Sequence, residues 1–323
     1  MLTRAGTARH IRSLVSELER EAELELHRYS FGGRGRRQVP VRDLAWYLAL
    51  LPRRARRDGV DVLHCPSHRA PVDPTVPLVV TFHDLAVVRY PQTFNRWTRT
   101  YSRAFLPRVA RAARRLIAVS EFTRSELVEL LQVPEEKIRV VPNAVGPPFA
   151  PKGPAAEGDY VLAVSTLEPR KNLNRLLEGF RRARLDGLEL RVAGARGWGG
   201  VAAPAGSRVR WLGHVGDEEL ARLYRGARCA VYVPLYEGFG LPVLEGVACG
   251  TPVVASDLPP FREFANGACV PVDPTDPTAI AAGLEHALAR REELAARARA
   301  LPTPWTWRDA ARATHAVYRE AAA

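Results

Sequence analysis

Lysine is almost absent from this chain of 323 residues, occurring only at Lys137, Lys152 and Lys171, so the net charge of +12 is carried almost wholly by arginine. Methionine occurs once, and the four cysteines (Cys65, Cys229, Cys249, Cys269) are scattered and form no CxxC pair. That pattern argues against a disulfide framework and predicts reduced thiols in a cytoplasmic protein. No run of apolar residues approaches the roughly 20 needed to span a bilayer. The opening residues, MLTRAGTARHIRSL, lack the apolar segment of a secretory signal. No Asp-x-Asp occurs, so a divalent ion clamped on a diphosphate has no visible ligands, and no metal site is expected. RNA-binding signatures, zinc fingers and helix-turn-helix patterns are missing too, and nucleic acid is not an expected partner.

What is present is alternation. Apolar residues make up 46% of the chain, enough for two cores. In the first half DVLHCPS, PLVVTFHD, RLIAVS and IRVVPNAV read as strands, continuous apolar runs of the kind buried on both faces of a parallel sheet. EFTRSELVELLQV reads as a helix with Ser120 as its N-cap. GPPFAPKGPAAEGD (146–159) reads as a linker. The alternation then restarts. YVLAVST, LELRVAG, VRWLGHV, CAVYVPL and PVVASD are strands, and NLNRLLEGFRRAR is a helix with Leu173, Leu176, Leu177 and Phe180 on one face. The pattern predicts two doubly wound α/β domains with ligand bound between them, beyond the carboxyl ends of the strands. The first is expected over 1–148, the second over 149–304, with a closing helix over 305–323. A doubly wound domain normally begins with a strand, yet AGTARHIRSL opens on a turn at Gly6 followed by a helix. Either the true start lies upstream of Met1, the preferred reading, or the first domain lacks its leading strand.

Arginine clusters at RGRR (34–37), RRARR (53–57) and RVARAARR (108–115) all fall in the first half. Solvated helix faces explain them as well as attraction to an anionic membrane surface does.

The segment YEGFGLPVLEGVACGTPVVASD (236–257) carries the most chemistry. CAVYVPLY ends a strand, Pro242 suits the first turn of a helix, and EGFG is the turn between them. Its glycines allow close approach to backbone, and the helix start offers free N–H groups suited to a diphosphate. Carboxylates repel phosphate but accept well from sugar hydroxyls. Glu237 and Glu245 on either side of the turn therefore suit two sugars flanking a diphosphate, as in a nucleotide-sugar. A dinucleotide fingerprint fails here, because Gly238 and Gly240 are followed by Val243 where a third glycine is required. Two surface glutamates beside a tight turn are the plain alternative.

Arg170 and Lys171, in STLEPRKNL, stand just before a helix, where two cations suit a leaving diphosphate. His83, in VVTFHDL with Asp84, sits at the carboxyl end of a first-half strand; a structural histidine is the competing reading.

With these residues in view, the chain resembles the family 4 (group 1) glycosyltransferases, which have the two-Rossmann GT-B fold. Glu237-x7-Glu245 is the strongest marker. STLEPRKNL, VVPNAV, LIAVSEFTRSEL and FHDL follow the family in order, and AGTARHIRSL is similar to its glycine-rich loop, with Ala8 where a glycine is frequent. The resemblance implies a hexosyltransferase, mannose being favoured, that moves sugar from a GDP-, UDP- or ADP-sugar to a glycan or lipid-linked acceptor with retention and without metal or cofactor. It implies Arg170 and Lys171 on the diphosphate, Glu245 on the ribose and Glu237 on the donor sugar. The amides of Phe239, Gly240 and Leu241 would contact sugar and phosphate, Val215 the base, and His83 the reacting carbon. Gly6 would belong to the donor-side loop, and WTWRDAARATHAVYREA would cross back to the first domain. Polysaccharide or glycolipid synthesis at the inner face of the plasma membrane is the expected setting. A non-catalytic nucleotide- or glycan-binding module of the same fold is the alternative.

Overall fold

The computed structural model describes residues 6–31, 42–195, 197, 208–265, 267–301 and 305–323. Two compact units divide the chain, one made of Met1–Ala144 with Trp307–Ala323, the other of Val145–Thr306. The RGRR cluster lies outside the described residues.

The first unit runs α1 (Gly6–Leu18), α2 (Arg42–Leu50, wound as a π-helix), α3 (Leu51–Arg57), β1 (Leu63–Cys65), β2 (Leu78–Phe82), α4 (Ala86–Arg89), α5 (Arg96–Ala112), β3 (Arg115–Ala118), α6 (Glu121–Leu131) and β4 (Ile138–Val140). Its strands pair in parallel in the order β1-β2-β3-β4. All five residues of β2, LVVTF, are buried, as a central parallel strand covered on both faces requires. Gly6 is the first helical residue of α1 rather than a turn, and residues 1–5 lie outside the described residues. The Ser120 hydroxyl accepts from the Thr123 amide at 3.0 Å and starts α6, as the sequence predicts. Three of the five exposed large apolar side chains among the described residues, Leu44, Leu48 and Leu50, lie on α2. Exposed Arg53, Arg54 and Arg56 follow on α3.

The second unit runs β5 (Tyr160–Val164), α7 (Leu173–Arg182), β6 (Glu189–Ala193), β7 (Val209–Gly213), α8 (Asp217–Gly226), β8 (Cys229–Tyr232), α9 (Leu241–Ala248), β9 (Val253–Ser256), α10 (Pro259–Ala265), β10 (Cys269–Val272), α11 (Pro277–Ala289) and α12 (Arg291–Ala300). Six parallel strands take the order β10-β9-β8-β5-β6-β7. Helix α7 buries Leu173, Leu176 and Phe180 against α11 and the sheet. Strand β10 is absent from the sequence reading because Pro271 interrupts its run; as an edge strand it tolerates the missing donor. The segment 146–159 is not a free linker. The Arg225 guanidinium donates to the carbonyls of Pro148, Ala150 and Pro154, stitching it to the second unit.

Helix α13 (Trp307–Ala322) packs on α1, β2 and β3 of the first unit. His64 is hydrogen-bonded to the hydroxyls of Tyr318 (2.7 Å) and Thr81 (2.9 Å). The Glu320 carboxylate accepts from Arg115 and Arg139 at 3.1 Å each.

Candidate active site

The EGFG turn joins β8 to α9. Gly240 is in the left-handed region, with φ +99°, and a Cβ there would run into the Phe261 ring. Only glycine satisfies both conditions. Phe239 is buried and stacked on Phe264, with centroids 4.7 Å apart, and Leu241 opens α9 in a buried position with Pro242 beside it in the first turn.

Arg170 and Lys171 lie in a 3-10 turn, Pro169–Lys171. Asn172, at φ +61°, ends that turn. Its Nδ2 donates to the carbonyls of Val233 (2.9 Å) and Pro274 (2.7 Å), and the Leu235 amide donates to the Arg170 carbonyl at 2.9 Å. These bonds bring the 169–172 turn against the chain leading into Glu237. The Arg170 guanidinium donates to the Tyr236 carbonyl (2.8 Å) and to Glu237 Oε1 (3.0 Å). Lys171 forms an ion pair with the same oxygen and donates to the Tyr232 hydroxyl at 2.7 Å. Tyr232 in turn donates to Glu237 Oε1 at 2.7 Å.

Burial alone would raise the Glu237 pKa, but the Lys171 and Arg170 charges outweigh it and hold the carboxyl at about 2. Burial, then the Glu237 charge, push the Tyr232 phenol well above its ordinary range. At neutral pH Glu237 is thus a carboxylate and Tyr232 a neutral phenol, and a second carboxylate, Glu168, lies 3.9 Å from the Arg170 guanidinium. Glu237 cannot serve there as a proton donor; it can accept hydroxyl bonds.

Glu245 is buried on α9, at 2% exposure, and its Oε2 accepts from the Tyr224 hydroxyl at 3.3 Å. That hydroxyl also lies 2.9 Å from the Pro242 carbonyl. Val215 is half-buried and follows β7, next to exposed His214. Nearby, a Cβ on Gly194 would run into the Ser165 carbonyl, so the loop after β6 presses on the end of β5.

His83 belongs to the first unit, one residue beyond β2. Its Nε2–H donates to the Pro66 carbonyl at 3.1 Å. The edge of His10 meets it at 4.6 Å between centroids, and His10 Nδ1–H donates to Asn143 Oδ1 at 2.6 Å. Burial lowers the pKa of both imidazoles and keeps them neutral. Gly6 lies one turn of α1 before His10.

Arg170, Lys171 and Glu237, which the sequence reading assigned to the diphosphate and the donor sugar, are bonded directly to one another. Tyr232, Asn172 and His10 were missed. A tyrosine ending an apolar strand reads as core, and a histidine early in a helix gives no signal. Only the asparagine following Arg170–Lys171 hinted at a left-handed cap.

Comparison with known proteins places this architecture. Residues 149–300 match the family described as glycosyl transferases group 1, and residues 4–147 match glycosyltransferase family 4. The O-antigen chain mannosyltransferase B of Escherichia coli is 32% identical over 301 residues, 84% of this chain and 79% of the relative. The O-antigen chain mannosyltransferase RfbU of Salmonella typhimurium is 28% identical, over 73% and 68%. Among solved structures, Anabaena HepE in complex with UDP and glucose superimposes with a TM-score of 0.75 at 15% identity, covering 99% of this chain and 97% of that one. WaaG, a glycosyltransferase involved in lipopolysaccharide biosynthesis, gives 0.72 at 13% identity, over 97% and 96%. The fold is GT-B. The chain belongs to glycosyltransferase family 4 and is a glycosyltransferase.

Proposed function

We propose that this glycosyltransferase takes a hexose, mannose from GDP-mannose in the favoured case, and transfers it to a glycan or lipid-linked acceptor with retention and without a metal. The observation that carries the reading is the buried Arg170–Lys171–Glu237–Tyr232 cluster beside the glycine turn. Arg170, Lys171 and the α9 N-terminus stabilise the charge that develops on the departing diphosphate. Glu237, held anionic, accepts from hydroxyls of the donor sugar; Glu245 takes the ribose; the amides of Phe239, Gly240 and Leu241 line the path between. Val215 meets the base through its backbone. From the first unit, this reading assigns His83 to the reacting carbon and Gly6 to the donor-side loop.

The bond from the anomeric carbon to the diphosphate oxygen breaks while the acceptor oxygen bonds to the same face. The acceptor proton passes to the departing phosphate oxygen. Mannosyltransferase relatives support the sugar, and the UDP bound by HepE supports a nucleotide donor. Leu44, Leu48 and Leu50 beside Arg53, Arg54 and Arg56 suit peripheral contact with an anionic membrane face, on the cytoplasmic side.

The test is a thermal-shift panel with GDP, UDP, ADP and dTDP on wild type and Glu245→Ala. Ligand at 100 times its Kd stabilises by about 2.7 kcal/mol. One nucleotide should stabilise wild type and the variant far less; no response to any of the four would sink the donor-site assignment.

A further inference from the structure

Tyr232 is the last residue of β8 and is 4% exposed. Its ring lies against Phe261, with centroids 6.0 Å apart, and Lys171 Nζ sits 5.3 Å from its centroid. An ammonium can only donate and an ionised carboxylate can only accept. The single phenolic proton must therefore point at Glu237, while the phenolic oxygen receives Lys171. All three donors on the Glu237 side chain, from Arg170, Lys171 and Tyr232, converge on Oε1. No described residue bonds Oε2. The carboxylate is pinned by one oxygen and presents the other.

We propose that Tyr232 is a positioning residue for sugar transfer: its hydroxyl joins Lys171 to Glu237, fixes the carboxylate through Oε1, and leaves Oε2 to take a hydroxyl of the donor sugar. The inference rests on the assignment of Arg170, Lys171 and Glu237 to the donor site. Without the phenol, Arg170 and Lys171 still hold Glu237 Oε1, but the carboxylate loses its one uncharged donor and Lys171 loses the acceptor that fixes its ammonium. Binding of the donor, which the two cations dominate, should suffer less than turnover, which needs the aligned carboxylate.

The experiment compares wild type, Tyr232→Phe, Glu237→Gln and the double variant in two readouts. The first is urea unfolding at pH 7, which needs no substrate. If Tyr232 acts through Glu237, the cost of Tyr232→Phe should be small in the Glu237→Gln background. The second is initial-rate kinetics with GDP-mannose and UDP-glucose as probes. The loss of a bond to a charged group should lower kcat roughly tenfold or more, change donor KM much less, and move the acid fall-off of activity to higher pH. Additive unfolding costs together with wild-type kcat and an unmoved acid fall-off would overturn the proposal. Wild type turning over neither nucleotide-sugar would overturn the assignment beneath it, while the unfolding series still reports whether Tyr232 holds Glu237. Tyr232→Met, which fills the space without a hydroxyl, replaces the phenylalanine variant if that one does not fold.

Discussion

Replacing Glu237 by glutamine keeps the shape of the side chain and removes the charge that buried Arg170 and half-buried Lys171 share. Its carboxyl is held at about 2 against an ordinary 4.5. At about 1.36 kcal/mol per pH unit, that difference is worth roughly 3 kcal/mol at neutral pH. The sign follows from where the protons go. Below pH 4.5 the unfolded chain protonates this carboxyl while the folded chain does not, so the contribution is full above 4.5 and drains away as pH falls through about 2. Glu237→Gln should therefore cost roughly 3 kcal/mol at pH 7. The gap to wild type should narrow by roughly 1 kcal/mol at pH 4 and roughly 2 kcal/mol at pH 3. Urea unfolding with matched m-values measures it. Adding Lys171→Met should recover part of the loss, because the variant's excess positive charge is what remains uncompensated. A gap of the same size at every pH would refute the reasoning, since it would show a packing defect and not a lost charge.

Two further outcomes follow from the described geometry. His64 and His68 are half-buried and neutral, with desolvation lowering their pKa to about 3 and about 4, and His10 and His83 are lowered in the same direction. The unfolded chain binds these protons first, so stability is full above pH 6.5 and falls as pH drops from 6.5 towards 4 and 3; a His64→Gln variant should show a shallower acid slope in thermal melts, and an unchanged slope would count against it. Gly240→Ala should destabilise by about 2–4 kcal/mol, combining a left-handed backbone with collision against Phe261, and differential scanning calorimetry showing a wild-type Tm would contradict this.

Much of this fold could be read before any coordinates. Strands such as LVVTF and YVLAV are unbroken apolar runs, and alternation with helices dictates parallel pairing. The glycine turn was legible because Gly240 and Pro242 punctuate the chain locally. The Arg170–Lys171–Glu237 association could be suspected from chemistry alone, but its form could not. It depends on Asn172 reaching Val233 and Pro274, a tertiary bond between segments about 60 and 100 residues apart, as no local pattern records. Strand β10 was hidden by Pro271, whose cost depends on whether the strand lies at an edge. His10 acquires meaning only through Asn143 and His83, which the sheet brings to it.

The packing of α13 on α1 sets an order of events during synthesis. The first unit is assembled from two stretches of chain separated by the whole of the second. A ribosome adding about 5–20 residues per second would take roughly 10–30 s to make the intervening unit. Throughout that time the surfaces of α1, β2 and β3 that receive α13 have no cover, and His64 has not yet met Tyr318. The second unit, continuous in sequence, can close while the first still waits for its final seam. A nascent chain that has reached only Thr306 thus still lacks the helix that covers α1, β2 and β3.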